Sequence, residues 1–125
     1  MADSEFALIQ RYFSSQPLLN PVNRLGIGDD CALISIPAGY ELAVTTDTMV
    51  EGVHFFAGVE PRLLGHKLLA VNLSDLAAMG AAPVSVSLAL TLPEVNEVWL
   101  NDFSTGFLNL AKQFSVDLIG GDTTS

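Results

Sequence analysis

The sequence is poor in basic residues. Lysine and arginine together number five among 125 residues, against 14 aspartates and glutamates, which gives a formal net charge of −9 at pH 7. Nucleic-acid binding requires a basic surface, because protein cations replace the counterions around the phosphates. A chain this acidic is therefore not expected to bind nucleic acid.

Cysteine and long apolar runs are also scarce. The single cysteine, Cys31, excludes an intrachain disulfide. The N-terminus lacks the basic start and unbroken apolar run of a signal peptide. No stretch reaches the roughly 18 to 20 uncharged residues that span a bilayer. The longest candidate, residues 66–92, is interrupted by Lys67, Asn72, Asp75 and Pro83. We therefore expect a cytoplasmic protein with no membrane partner.

Common cofactor motifs are missing as well. There is no G-x-x-x-x-G-K-[ST] loop, and "GIGDDC" shares only its first two glycines with the dinucleotide-binding pattern G-x-G-x-x-G. Cys31, His54 and His66 do not have the spacing of zinc ligands. A nucleotide site in this chain would have to lie outside the P-loop and dinucleotide-binding folds.

Half of the residues are hydrophobic, and 125 residues is the size of one ordinary domain, so a core can be buried. Periodicity and turn residues predict helices at about 4–13, 61–80 and 94–114, and strands at 32–36, about 41–49, 84–92 and 115–121. Pro37 and Gly39 predict a turn that joins the first two strands as a hairpin. This order predicts an α+β fold, an α/β sandwich in which helices pack on a four-stranded mixed sheet.

The strand at 84–92 has two different faces. Large aliphatic side chains alternate with small residues, namely Ser85, Ser87, Ala89 and Thr91. The small-residue face either faces solvent or allows close approach of another sheet or a second subunit. In the helix at 94–114, the aromatic stripe that starts at Trp99 is predicted to be core.

Aspartates stand at the ends of several predicted elements. Asp29 and Asp30 precede one strand, Asp47 ends another, and Asp122 follows the last one. Taken singly, each also suits an ordinary turn. Asp75 differs, because it lies in a helix that is apolar on nearly all sides. A buried, unpaired carboxylate is costly, so a cation or a dedicated set of donors is the natural partner.

The oxygen-rich segment "TTDT", residues 45–48, offers one carboxylate and three hydroxyls at the end of a predicted strand. Hard cations prefer such ligands, and magnesium is typically shared between a few carboxylates and substrate phosphates. Because Lys and Arg are scarce, metal ions would have to offset most of the charge of a bound phosphate. If the protein transfers phosphate, we therefore expect metal ions, held by such oxygen ligands, to assist the reaction.

Four motifs, taken together, resemble the thiamine-monophosphate kinase family. They are "GIGDDCA" at 26–32, "TTDTMVEGVHF" at 45–55, "VNLSDLAAMGA" at 71–81 and "LIGGDTTS" at 118–125. The family belongs to a superfamily that includes aminoimidazole ribonucleotide synthetase and selenophosphate synthetase. The resemblance covers residues 26–125, whereas the first 25 residues add only a compatible helix.

The resemblance implies ATP-dependent phosphorylation of thiamine monophosphate to thiamine diphosphate, by direct in-line transfer with several magnesium ions. It also implies the N-terminal domain of the aminoimidazole ribonucleotide synthetase-like fold, with sheets that pair across a homodimer. The implied magnesium ligands are Asp30, Thr45, Thr46, Asp47, Asp75 and Asp122. Gly121 and Asp122 would also contact ATP, and His54 would contact the substrate. No catalytic base is implied, because the accepting phosphate oxygen is already ionised near neutral pH.

Members of this family have about two domains by the usual length rule, and this chain stops directly after the "GGDTTS" motif. We therefore expect residues 1–125 to be the N-terminal ATP-binding, magnesium-binding and dimerisation domain, without the C-terminal domain and inactive alone. One alternative is another ATP-dependent enzyme of the superfamily, although no reactive cysteine of the selenophosphate type precedes Cys31. The other alternative is a non-catalytic dimerisation or metal-binding module.

Overall fold

The structure is a computed structural model that describes residues 5–14, 17–28, 31–46, 58–91 and 96–124, with the backbone alone at 5, 6, 8, 9 and 122–124. The elements in these ranges are α1 (Glu5–Tyr12), β1 (Asn23–Leu25), β2 (Leu33–Ile34), α2 (Pro61–Ala78), β3 (Ser85–Thr91), α3 (Glu97–Gln113) and β4 (Asp117–Thr124). The α+β class and the three predicted helices are therefore confirmed.

Within the described ranges, the strands form two separate two-stranded sheets. β3 and β4 are parallel, whereas β1 and β2 are antiparallel. The predicted four-stranded mixed sheet is thus not confirmed. The predicted partner of β2 was the segment 41–49, but residues 41–46 are not in a strand. Leu42 and Val44 are 52% and 76% exposed, and no described strand pairs with this segment, so little burial or pairing supports a strand there.

The chain segment "GIGDDCA", residues 26–32, is the connection between β1 and β2. The two strands pair Asn23 with Ile34 and Leu25 with Leu33. Beyond the pairing, the Ser35 amide donates to the Val22 carbonyl at 2.8 Å. The acidic motif is therefore the loop of an antiparallel hairpin, and its position depends on how the base of that hairpin is held.

The core lies between the β3–β4 sheet and the two long helices. Its buried side chains form two neighbouring clusters: Phe13, Leu64, Leu100 and Phe103 in one, and Leu69, Phe107, Leu110, Ala111 and Val116 in the other. From β3, Val86, Leu88 and Leu90 pack against these clusters, while Ser87, Ala89 and Thr91 are exposed. The predicted alternation of β3 is confirmed.

The aromatic stripe of α3 is core over most of its length. Phe103 and Phe107 are each 1% exposed, and the ring of Trp99 stacks on that of Phe103 with 5.0 Å between centroids. Phe114 is the exception at 49% exposed, because the helix ends at Gln113 and Phe114 is its C-cap. The stripe was therefore predicted correctly except at its last residue.

Helix ends follow the local sequence. α2 begins at Pro61, as predicted, and Gly80 follows it with a φ of 69°. The Ala81 amide donates to the Leu76 carbonyl at 3.0 Å, which completes a Schellman motif. α3 begins at Glu97 because the Asn96 side chain accepts a hydrogen bond from the Trp99 amide.

Helix α1 rests against the first turn of α3. Arg11 forms an ion pair with Glu97, and the Tyr12 hydroxyl donates to the same carboxylate at 3.3 Å. The Arg11 and Glu97 side chains are 52% and 58% exposed, so the pair contributes at most about 1 kcal/mol. Phe13, which is 6% exposed, joins α1 to the core more strongly by burying an aromatic ring.

The two long helices cross at a pair of glycines. A methyl group on Gly65 of α2 would lie 2.2 Å from the Phe103 carbonyl oxygen, and one on Gly106 of α3 would lie 2.0 Å from the Arg62 carbonyl oxygen. Neither position can hold a Cβ unless the helix backbones move apart. These glycines therefore set the distance between α2 and α3. No helix in the described ranges is long and apolar enough to cross a membrane.

We expect Gly106→Ala to lower the free energy of unfolding by about 1–3 kcal/mol, because the new methyl group overpacks the helix crossing. Alanine otherwise favours a helix over glycine by about 1 kcal/mol, so a loss of stability identifies the crossing as its cause. Urea denaturation followed by circular dichroism measures the change. Asn109→Ala, at an exposed position of α3, is the control and should be neutral or stabilising. Equal stability of Gly106→Ala and the parent chain would contradict the close approach.

Candidate metal and nucleotide site

The hairpin loop is anchored at its start and open toward its tip. Ile27 is half-buried and packs against the core, whereas Gly28 and Cys31 are exposed. Gly28 has a φ of 118°, a conformation that side-chain-bearing residues rarely adopt. Asp29 and the predicted magnesium ligand Asp30 lie outside the described residues. What the structure establishes is the placement of the backbone on both sides of them.

Strand β4 carries a bulge just before the "GGD" motif. Val86 pairs with Leu118 and Ser87 with Gly120, so Ile119 is an extra residue on β4. Bulges bend a strand and re-aim the residues that follow, and they are common beside active sites. Beyond the bulge, Gly121 pairs with Leu88 and the backbone of Asp122 lies opposite Ala89.

Gly121 has no room for a side chain. Its φ is 144°, and a methyl group there would lie 1.9 Å from the Leu88 carbonyl oxygen. The residue is exposed on its other side. The missing Cβ therefore makes room for β3, whereas the exposed backbone of Gly121 stays accessible to a ligand.

We expect Gly121→Ala to lower the free energy of unfolding by about 1–3 kcal/mol, because both the φ value and the contact with β3 oppose a Cβ. Gly120→Ala is the matched control, since nothing lies within 4 Å of a methyl group at that position. Thermal unfolding of the two variants and the parent chain gives the comparison. If the two alanine variants are equally stable, Gly121 is not the constrained position.

The threonines of "TTDT" lie in a segment without strand structure. Thr45 is half-buried and Thr46 is exposed, and both belong to the irregular stretch 41–46. Asp47 and His54 lie outside the described residues. The structure thus describes two of the four residues that the sequence selects in this motif, and it places their backbone outside both sheets.

Asp75 is exposed, contrary to the expectation of a buried carboxylate. Helix α2 packs on one side only, where Leu64, Gly65 and Leu69 are buried. Its other side faces outward, and Leu63 is 59% exposed there. Asn72 is half-buried and satisfies its own amide by donating to the Leu68 carbonyl at 3.0 Å. The prediction that α2 is buried on most sides is wrong for this chain, so burial alone does not require a cation at Asp75.

Within the described residues, no three His, Cys, Asp or Glu side chains lie close enough together to hold a metal ion. Asp30 and Asp47 lie outside this set, and the side chain of Asp122 is not described. The predicted ligands do fit magnesium in their chemistry, because carboxylate and hydroxyl oxygens are the donors that this ion prefers. Donor type, rather than observed coordination, supports a magnesium site.

The structure also contains a buried polar network that the sequence did not reveal. Asp117, at the start of β4, is 5% exposed and accepts hydrogen bonds from the Leu19 and Asn20 amides and from the Asn23 side chain. Aspartate before an apolar run reads as a strand start that faces water. No local signal in the sequence marks Asp117, because its hydrogen-bond donors are 94 to 98 residues away along the chain.

A cavity of about 180 Å³ lies between the end of α1, the segment 17–19 and the last turn of α3. Lys112 and Asp117 are the charged groups among the described residues that line it. It adjoins the start of β4, whereas Gly121 lies toward the end of that strand. Among the described residues, none of the predicted ligands lines this cavity.

Curated relatives of this chain are thiamine-monophosphate kinases. The protein of that name from Haemophilus influenzae is 58% identical over 124 residues, which are 99% of this chain and 38% of the relative. The one from Escherichia coli K12 is 53% identical with the same coverage of both chains. This chain therefore spans well under half the length of the curated relatives that it matches.

Solved structures agree with this similarity. The crystal structure of thiamine-monophosphate kinase from Stenotrophomonas maltophilia K279a matches 99% of this chain and 39% of its own, with a TM-score of 0.83 and 51% identity. AaThiL complexed with AMPPCP and TMP matches 59% of this chain and 24% of its own, with a TM-score of 0.53 and 29% identity.

The family model described as AIR synthase related protein, N-terminal domain, matches residues 28–125. This range contains the tip of the hairpin loop, the "TTDT" segment, α2 and the "GGD" motif of β4, which are the parts that the sequence selected. The chain therefore belongs to the family of AIR synthase related proteins and carries its N-terminal domain.

Proposed function

We propose that this chain is the ATP- and magnesium-binding part of a thiamine-monophosphate kinase, which phosphorylates thiamine monophosphate to thiamine diphosphate. The observation that carries the proposal is 58% identity, over 99% of this chain, to a protein named for that activity. A matching structure, AaThiL, binds AMPPCP, an analogue of ATP, together with TMP.

In the proposed site, the aspartate carboxylates hold magnesium, which offsets the charge of the phosphates. The ligands are Asp30, Thr45, Thr46, Asp47, Asp75 and Asp122. The scarcity of lysine and arginine in the chain supports this role of magnesium, since few protein cations are available to offset the phosphate charge. The exposure of Asp75 leaves its carboxylate accessible to an ion that also contacts another part of the protein or the nucleotide.

The chain's own contribution to the reaction is mainly positioning. The backbone of Gly121 is exposed, so a phosphate can approach β4 beside Asp122. His54 contacts the thiamine phosphate. No residue is required as a general base, because the attacking phosphate oxygen carries its negative charge before the reaction begins. Residues beyond these 125 complete the substrate pocket, in line with the greater length of the relatives.

We expect the chain to bind magnesium together with AMPPCP, and Asp122→Asn to weaken that binding at least about tenfold, because an amide oxygen is a poorer magnesium ligand than a carboxylate. Isothermal titration calorimetry measures the affinity. Asp102→Asn makes the same chemical change on α3, away from the proposed site, and should bind as the parent does. Parallel circular dichroism spectra show that the variants keep the fold.

A second measurement separates the enzyme from a non-catalytic binding module. In an ADP-release assay with thiamine monophosphate, the 125-residue chain should be inactive alone, and a protein of the relatives' full length that carries this sequence should be active. Full turnover by the 125 residues would refute the need for further residues. Binding of AMPPCP without turnover in the longer protein would favour the module.

We also propose that two copies of the domain associate through the β3–β4 sheet. The exposed side chains of β3, Ser87, Ala89 and Thr91, are small and carry no charge, so another sheet can approach closely. Face-to-face packing would bury these small side chains against those of the second copy.

A charge on this surface should keep the copies apart. We expect Ala89→Glu to shift the sedimentation coefficient from that of a dimer to that of a monomer, because two like charges would be buried together. Asn109→Glu, at an exposed position of α3, is the control and should sediment as the parent does. A parent chain that sediments as a monomer at all concentrations tested would refute the proposed association.

A further inference from the structure

The hairpin that carries "GIGDDCA" is fastened at its base by a buried carboxylate. Asp117 accepts hydrogen bonds from the Leu19 amide at 2.6 Å and from the Asn20 amide at 2.8 Å. Its side chain also accepts from the Asn23 amide group at 2.8 Å, and both residues are 5% exposed. Hydrogen bonds to a charged group that is shielded from water are strong and directional.

Asn23 carries the connection onward to the parallel sheet. Its Nδ2 donates to the Val84 carbonyl at 2.7 Å as well as to Asp117, and its Oδ1 accepts from the Ser85 hydroxyl. The Asp117 amide donates to the same Val84 carbonyl at 3.2 Å. A single asparagine thus joins the starts of β1, β3 and β4, and each of its side-chain polar atoms has a partner.

The chain leads directly from this network to two of the proposed metal ligands, Asp30 and Asp122. From Asn23, β1 runs into the loop at 26–32 that contains Asp30. From Asp117, β4 runs to Gly121 and Asp122. Apart from pairing with each other, β1 and β2 form no sheet with β3 or β4 in the described ranges. The side-chain network, rather than backbone pairing, therefore fixes the hairpin relative to the parallel strands.

We infer that Asp117 is a positioning residue: together with Asn23 and Ser85, it sets the place of the Asp30 loop relative to the Asp122 strand. This inference rests on the proposed function for its consequence, since it assigns those two aspartates to one metal site. The network itself does not contact the metal. It acts through the backbone of β1 and β4.

The test is Asp117→Asn, which keeps the shape of the side chain but replaces one acceptor oxygen by an NH2 group. That group would face N–H donors in a buried site, so the hairpin base should separate from β4. In ¹H–¹⁵N NMR spectra, the amide signals of Gly26, Ile27 and Gly28 should shift. Affinity for Mn²⁺, a spectroscopic substitute for magnesium, should fall about tenfold by electron paramagnetic resonance titration.

Ser104→Ala is the matched control, because Ser104 is also buried, at 4% exposed, and its hydroxyl donates only within α3, to the Asn101 carbonyl. It should leave both the loop signals and the Mn²⁺ affinity unchanged. Ser85→Ala removes a single hydrogen bond from the network and should give a smaller change of the same kind. If Asp117→Asn does not fold, the same two measurements on Ser85→Ala test whether the network positions the hairpin.

Three outcomes are distinguishable. Shifted loop signals with weakened Mn²⁺ binding, absent in Ser104→Ala, support the inference. Loop signals and Mn²⁺ affinity that match the parent overturn it. A parent chain that takes up no Mn²⁺ counts against the proposed metal site, and the loop signals alone then decide whether Asp117 positions the hairpin.

Discussion

The closeness of α2 and α3 is the constraint on which the rest of the domain depends. Gly65 and Gly106 bring backbone against backbone, which leaves no layer of side chains between the helices at the crossing. The large residues on either side of it, Phe103 and Phe107, are consequently driven into the space beneath the sheet. Val86, Leu88 and Leu90 of β3 pack against the clusters that contain them.

A second constraint is polar and acts where the apolar core ends. The hairpin of β1 and β2 buries little apolar surface of its own, and Leu33 is 53% exposed. Besides the packing of Ile27 against the core, its attachment uses the network of Asp117, Asn23 and Ser85, in which a carboxylate accepts from several donors at once. Such a network is favourable only when it is complete, so it specifies one arrangement rather than a range of them. That property suits a loop whose Asp30 we propose to share a metal site with Asp122 of β4.

The features of the fold that could be predicted are those encoded by residues close together in the sequence. The alternation in β3, the aromatic stripe of α3 and the proline and glycine that bound α2 each depend on a short run of residues, and each was confirmed except for the stripe at Phe114. The strand expected at 41–49 failed in its described part, because alternation only makes a strand possible and a partner must make it stable. The burial of Asp75 was predicted wrongly for a related reason. When a helix is apolar on nearly all sides, its sequence does not show which sides pack against other elements.

By itself, the sequence determined the α+β class, the helices and the family, because periodicity and four motifs in a fixed order are properties of the chain in one dimension. It also selected the acidic residues of the proposed site by their type. Only the tertiary structure decided that "GIGDDCA" is a hairpin loop, that two glycines set the helix crossing, and that Asp117 fastens the hairpin to β4. The physical reason is distance along the chain, since hydrogen bonds and close contacts between residues far apart in sequence leave no local trace.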